Sequence, residues 1–176
     1  MQRIILIYGT IAGLIELALL GLTMGLLTDH GTLGMALGYL SMLIAMSLVF
    51  VGVKKYRDDQ LGGVIRFWKA FLVGLGIAGI ACLFYAIGWE IYLAVSGGDF
   101  MAEYMASAIK DKAASGVSST ELAAFKAEMA SMAAMYANPL LRFAMTLSEI
   151  APVALLVPLI SALVLRNPRV LPAKIG

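Results

Sequence analysis

Charge is the scarcest commodity in this sequence. Asp, Glu, Lys and Arg together make up 14% of 176 residues, against about a quarter in an ordinary soluble domain. There is one cysteine, Cys82, and one histidine, His30. A lone cysteine excludes an internal disulfide, and a lone histidine without a cysteine cluster excludes zinc ligation at the usual spacings. His30 sits in the short stretch TDHGT, so neither a Ser–His pair nor an H-E-x-x-H helix can be built on it. The Gly62–Gly63 pair is followed by no Gly-Lys-Ser/Thr pattern and reads as a turn rather than a phosphate loop. A net charge of +2 gives no footprint for nucleic acid. The expectation is therefore a non-enzymatic chain with no cofactor, no metal and no nucleic-acid partner. Methionine at helical spacing near residues 101–135 reads as packing rather than soft-metal binding.

What the sequence has in quantity is apolar length. Hydrophobic residues make up 61% of the chain, and the mean hydropathy is +0.92. Four runs stand out, at about residues 4–27, 33–53, 70–95 and 140–165. Each is long enough to cross a hydrocarbon core of about 30 Å as a helix rising 1.5 Å per residue. Helix is the required form, because lipid offers the backbone no other partner. The first run is longer than a signal-peptide core and no A-x-A-like site follows it, so it reads as an uncleaved helix. The fold class expected is all-α, a single membrane domain of four crossings whose first partner is the lipid bilayer.

Orientation follows from the basic residues. Arg3, the linker residues Lys54, Lys55, Arg57, Arg66 and Lys69, and the tail residues Arg166, Arg169 and Lys174 fall on one side, nine of the thirteen Lys and Arg. The positive-inside rule then places both termini in the cytoplasm, and the expected location is the inner (cytoplasmic) membrane of a bacterium, multi-pass. The linker KKYRDDQLGG reads as a topogenic loop held near anionic lipid. Trp68 falls at the inner boundary, and Trp89 with Tyr92 at the outer one.

The opposite side carries residues 96–139, too long for a plain loop. Met101, Met105 and Ile109 share one helical side there, with Asp99, Glu103 and Lys110 on the other. Gly116 breaks that helix, and Ser118 and Glu121 follow at capping-box spacing. Leu122, Phe125, Met129, Met132 and Tyr136 then recur at steps of three and four, forming one stripe. Pro139 opens the fourth crossing. The expectation is an extracytoplasmic two-helix hairpin between the third and fourth crossings. Its stripe is a candidate contact surface for the bilayer, a second copy of the chain or another membrane protein.

The few charges inside the apolar runs are the candidate polar site: Glu16, Glu90, Arg142 and Glu149, with Pro152. A charge at mid-bilayer costs about 2.5–3.5 kcal/mol on insertion scales, so such groups face protein, water or headgroups. Glu90 and Arg142 lie at similar depth on different helices, and neither has an opposite charge nearby in its own run. They are expected to pair near the outer interface, with Glu149 deeper behind Pro152. A boundary role for Glu90, snorkelling beside Trp89, remains open. Pro152 and Pro158 free backbone carbonyls of the fourth helix, which serves either a bend or a proton or cation site beside Glu149. Glu16 lies on the Gly9–Gly13 stripe, and Glu90 on a stripe with Gly76, Gly79, Leu83 and Ala86, so both are expected to face protein. If Glu16, Glu90 and Glu149 converged, one would have to hold a proton or share a cation.

Five stretches taken together, VGVKKYRDDQLGGVIRFWKAFLVGL, GWEIY, GGDFMAEY, NPLLRF and LSEIAPVALL, resemble the bacterial four-helix membrane proteins grouped as domain of unknown function 4199. The resemblance spans nearly the whole chain and implies four crossings with an extracytoplasmic helical insert. It carries Lys55, Tyr56, Arg57 and Asp58, the Trp89–Glu90 pair, Asn138, Pro139 and Arg142, and Glu149 with Pro152. Glu16 is outside that pattern, so the resemblance favours a Glu90–Arg142–Glu149 set. It implies no reaction. The sequence therefore supports a scaffold, assembly factor or partner-binding membrane protein, with a small proton- or cation-coupled carrier as the alternative.

Overall fold

The computed structural model describes residues 1–26, 32–96 and 100–173. Six helices follow in order: α1 (Gln2–Leu26), α2 (Thr32–Leu61), α3 (Phe67–Val95), α4 (Phe100–Ala114), α5 (Ser119–Tyr136) and α6 (Pro139–Leu165). Among the described residues there is no strand. His30, Asp99 and Lys174, all used in the sequence reading, lie outside the described residues.

Four helices are long and apolar enough to cross a membrane, over Gln2–Met24, Ala36–Leu61, Phe67–Val95 and Pro139–Leu165. Their outward surfaces are apolar too: Leu6, Leu14, Leu72, Leu83, Ile87, Leu155 and Ile160 are all exposed. In water such a surface would aggregate; against lipid tails it costs nothing. α3 packs against α1, α6 and α2, and α2 also packs against α1 and α6, so α2 and α3 form a central pair flanked by the other two.

Small residues set how near the helices come. A Cβ on Gly13 would lie 2.5–2.8 Å from atoms of the Phe84 side chain, and one on Gly9 would lie 2.7 Å from Ile80 Cβ. α1 therefore lies directly on α3, as small-residue stripes allow in membrane helices. From the other side, a Cβ on Gly88 of α3 would overlap Leu17 of α1. The Gly76–Gly79–Leu83 part of the α3 stripe behaves differently. Gly76 meets only Ile5, while Gly79 has nothing near it and Leu83 is exposed. Gly79 and Leu83 therefore face outward rather than protein, while Gly76 stays against α1.

The second crossing departs from its expected end. The apolar run stops at Val53, but the helix continues to Leu61 through the residues read as a loop. Lys54 pairs with Asp58 at 2.5 Å and Lys55 with Asp59 at 2.7 Å, both at i,i+4 spacing. Such pairs support helix once it has begun. The turn itself is short, with Gly62 at φ +63° and Gly63 at φ +89° supplying the left-handed backbone.

α5 starts as the sequence predicts. The Ser118 side chain accepts from the Glu121 backbone N–H while the Glu121 carboxylate accepts from the Ser118 N–H, a complete capping box. Asn138 caps α6 by accepting from the N–H groups of Leu140 and Leu141, with Pro139 at the first helical position. α4 touches α5, and α5 touches α6. Of the stripe expected to be buried, only Met129 is; Leu122, Phe125, Met132 and Tyr136 are half-buried. α4 buries no residue at all. Two helices without a third layer cannot enclose both sides of a stripe.

Candidate functional site

The structure brings Glu90 and Arg142 together. They are 52 residues apart in sequence, yet Arg142 Nε donates to Glu90 Oε1 at 2.8 Å and Arg142 Nη2 donates to Glu90 Oε2. This is the two-pronged geometry for which guanidinium and carboxylate are matched. The Arg142 side chain is 18% exposed and that of Glu90 28%, so the pair is largely removed from solvent. Both belong to helix ends that meet α5: Glu90 lies in the last two turns of α3 and Arg142 in the first turn of α6.

Arg142 also reaches into the connection from α5. Its Nη1 donates to the Tyr136 carbonyl at 3.3 Å, and its guanidinium lies 5.6 Å from the Tyr136 ring centroid. Tyr136 is bonded a second time, from α3: Trp89 Nε1 donates to the Tyr136 hydroxyl at 2.5 Å. Burial holds the Tyr136 phenol above its ordinary range, so it stays a neutral hydroxyl. Trp89 in turn stacks near Tyr92, with centroids 5.4 Å apart, and meets Phe100 edge-on at 4.9 Å. Neighbouring residues Trp89 and Glu90 thus grip the α5–α6 junction with one hydrogen bond and one ion pair. A shallow groove of about 410 Å³ opens beside this clamp, lined by Glu90, Leu93, Met101, Met105, Tyr136 and Arg142.

Glu149 does not join the clamp. It lies two turns along α6 from Arg142, exposed on the bundle surface, and so is Pro152. Nor does Glu16, which is 1% exposed and whose two carboxylate oxygens have no hydrogen-bond partner. The three carboxylates therefore do not form one site: Glu90 is held by Arg142, while Glu16 and Glu149 stand apart from that pair, with Tyr85 within electrostatic reach of both. The geometric reason is depth. Glu16 lies ten residues before the end of α1 and Glu149 ten after the start of α6, whereas Glu90 lies five before the end of α3.

One polar site escaped the sequence reading. Arg57, taken as part of a topogenic loop, is completely buried. Its Nε donates to Asp58 Oδ1 at 2.7 Å, and its Nη atoms donate to the carbonyls of Leu165 at 3.4 Å, Val170 at 3.0 Å and Leu171 at 2.5 Å. It stops the C-terminal end of α6 and pins the tail behind it. Leu171 adopts φ +49°, an uncommon backbone for a leucine, at the point where its carbonyl turns to Arg57. Nothing in the tail sequence announces these carbonyls. The available signal was the i,i+4 pairing that makes residues 54–61 helical.

The clamp and the Arg57 anchor both spend their charges on partners within the chain. The family described as "Protein of unknown function (DUF4199)" matches residues 7–167. No curated protein and no solved structure matches the chain.

Proposed function

We propose, for a chain that belongs to the DUF4199 family and inherits no activity from it, that this is a non-enzymatic integral membrane protein that works by contact. The four long helices anchor it, and α4 with α5 is a two-helix hairpin projecting on the non-cytoplasmic side, where it meets another membrane protein or a second copy of the chain. Both termini lie in the cytoplasm of a bacterial cell, with the bundle in its inner membrane; the nine-of-thirteen distribution of Lys and Arg supports this. One observation carries the contact reading. The hairpin has almost no core of its own, with Met129 its one buried residue, yet its base is fastened by the Glu90–Arg142 pair and the Trp89–Tyr136 bond. A segment fixed so firmly at its root and covered so little along its length is built to be covered by something else.

The test is site-specific photocrosslinking in native membranes. A photoreactive residue at Lys110 or Met135, on exposed positions of α4 and α5, should give discrete protein adducts, while the same residue at lipid-facing Leu83 should not. Absence of protein adducts from both arm positions would overturn the reading. Reporter fusions near Ser115 and at the C-terminus should report opposite sides of the membrane. A second reading, a small proton- or cation-coupled carrier using intramembrane carboxylates, is favoured by the unpartnered carboxylate of Glu16.

A further inference from the structure

Among the described residues, Glu16 is the one polar side chain that the fold buries and then leaves alone. It is 1% exposed, and among the described residues its two oxygens are the only buried side-chain polar atoms without a hydrogen-bond partner. It occupies the tightest helix contact in the bundle. One turn before it on α1, Gly13 lies on Phe84; one residue after it, Leu17 fills the space that a side chain on Gly88 would need. Ala12 and Leu20, on the same face of α1, are also buried.

The titratable groups that approach this carboxyl come from α3. Cys82 and Tyr85 are both within its electrostatic reach. α2, the other helix packed on α1, contributes buried Met42, Ala45 and Met46 near this depth. Its tyrosine, Tyr39, is near Tyr85, as is Glu149 of α6. No Lys, Arg or His among the described residues comes near enough to neutralise Glu16. A metal ion is a poor occupant, because hard cations demand several oxygen ligands and no group of three or more His, Cys, Asp or Glu is placed to hold one among the described residues. An ionised carboxylate buried without a partner in such surroundings is among the most costly arrangements a protein can contain. The remaining occupant is the smallest.

We infer that Glu16 is a proton-binding site that latches α1 to α3. With the proton bound, the side chain is a neutral acid that fits the seam. With the proton gone, the charge must draw water in, and the close contacts of Gly13 with Phe84 and of Gly88 with Leu17 oppose that unless the helices part. Protonation is thereby coupled to α1–α3 packing, and Tyr85 and Glu149 lie at the same depth as Glu16 to within a turn, Glu149 on the bundle surface. This inference is independent of the contact role proposed for the α4–α5 hairpin.

Infrared spectroscopy of the full chain in lipid nanodiscs tests the site. At neutral pH the wild type should show a protonated-carboxyl C=O band that Glu16→Gln removes, Glu149→Gln keeps, and Glu16→Asp retains at a shifted position. Raising the pH should abolish it. Sodium at constant pH should leave it unchanged; loss of the band on adding sodium would mean a metal cation competes for the site and would overturn the assignment. So would a neutral-pH spectrum in which Glu16→Gln removes nothing. The latch is tested by spin labels at Leu22 and Ile91, both exposed near the same end of α1 and α3, in a Cys82→Ala background. Their separation should grow on alkaline titration of the Glu16 chain and stay constant in Glu16→Gln. Equal pH response in both would remove the coupling.

Discussion

Arg57 and Arg142 sit at opposite ends of α6, roughly 40 Å apart along its axis, and the protein neutralises them by different means. Arg142 meets a carboxylate from another helix, 52 residues away. Arg57 meets its sequence neighbour Asp58 and spends its remaining donors on three main-chain carbonyls of the tail. The first arrangement joins two elements through side chains and can be dissected by mutating either. The second joins a side chain to backbone, so only one of its partners can be mutated. Their burial differs accordingly, 18% against 0% side-chain exposure. Arg142 holds one carboxylate and one carbonyl and keeps some contact with its surroundings, whereas Arg57, with one carboxylate and three carbonyls, is sealed in completely.

The largest expected effect is at the sealed end. Arg57→Met should destabilise the purified protein by about 3–5 kcal/mol, because it leaves carbonyls of the tail unpaired and takes from Asp58 one of its two cationic partners, the other being Lys54. Arg57→Lys should recover little of this, since an ammonium cannot span Asp58 and carbonyls on both sides of the α6 terminus. Thermal unfolding in mild detergent measures both, and a lysine variant as stable as wild type would erase the contrast between the two arginines.

At the clamp the expected loss is smaller. Glu90→Gln and Arg142→Gln should each destabilise the protein, and the double change should cost less than their sum by about 2 kcal/mol, the coupling of a direct pair. Strict additivity would show that contact without energy joins α3 to α6. Trp89→Phe removes only the donor to the Tyr136 hydroxyl and should cost about 1 kcal/mol. It should also loosen the α5–α6 junction, which hydrogen exchange at Ala137 and Asn138 would register.

The smallest effect lies farthest from either arginine. Ser118→Ala breaks the capping box of α5 and should cost about 0.5 kcal/mol, the lower end for an exposed cap. Its hydrogen bonds to the Ser118 backbone and hydroxyl hold the Glu121 carboxyl below its ordinary range. A depressed carboxyl contributes stability that is present above its unfolded value and is lost as pH falls through the folded one. Fraying of the start of α5 should therefore appear only on acidification, and amide exchange near Glu121 at pH 7 and in acid is the measurement. Fraying that is the same at both would show that the serine hydroxyl alone makes the cap.

The clamp was legible in the sequence and the anchor was not, for a physical reason. Glu90 and Arg142 are isolated charges in apolar runs, so each demands a partner, and their depths allow only a few. Arg57 stands among Lys54, Lys55, Asp58 and Asp59, where a local carboxylate is at hand, and a main-chain carbonyl leaves no mark in an amino-acid sequence. The four long apolar helices, the capping box of α5 and the start of α6 at Pro139 were legible because apolar length and helix-start chemistry are local properties. The end of α2 was misplaced by eight residues because hydropathy reports the solvent around a helix, not where the helix stops. The stripe on α5 was read correctly as a stripe, but periodicity cannot say whether enough partner surface exists to bury it.

The Arg57 anchor also constrains the order of assembly. Its carbonyl partners are made 108–114 residues after it, and domains are assembled while synthesis proceeds at about 5–20 residues per second. For several seconds of translation the α2 end carries a cation whose final ligands do not yet exist, so it must remain in water or among headgroups. The bundle can close around Arg57 only when the chain beyond α6 has emerged. A premature stop before Val170 would leave all four long apolar helices intact and still yield an unclosed product with the Arg57 charge short of its ligands.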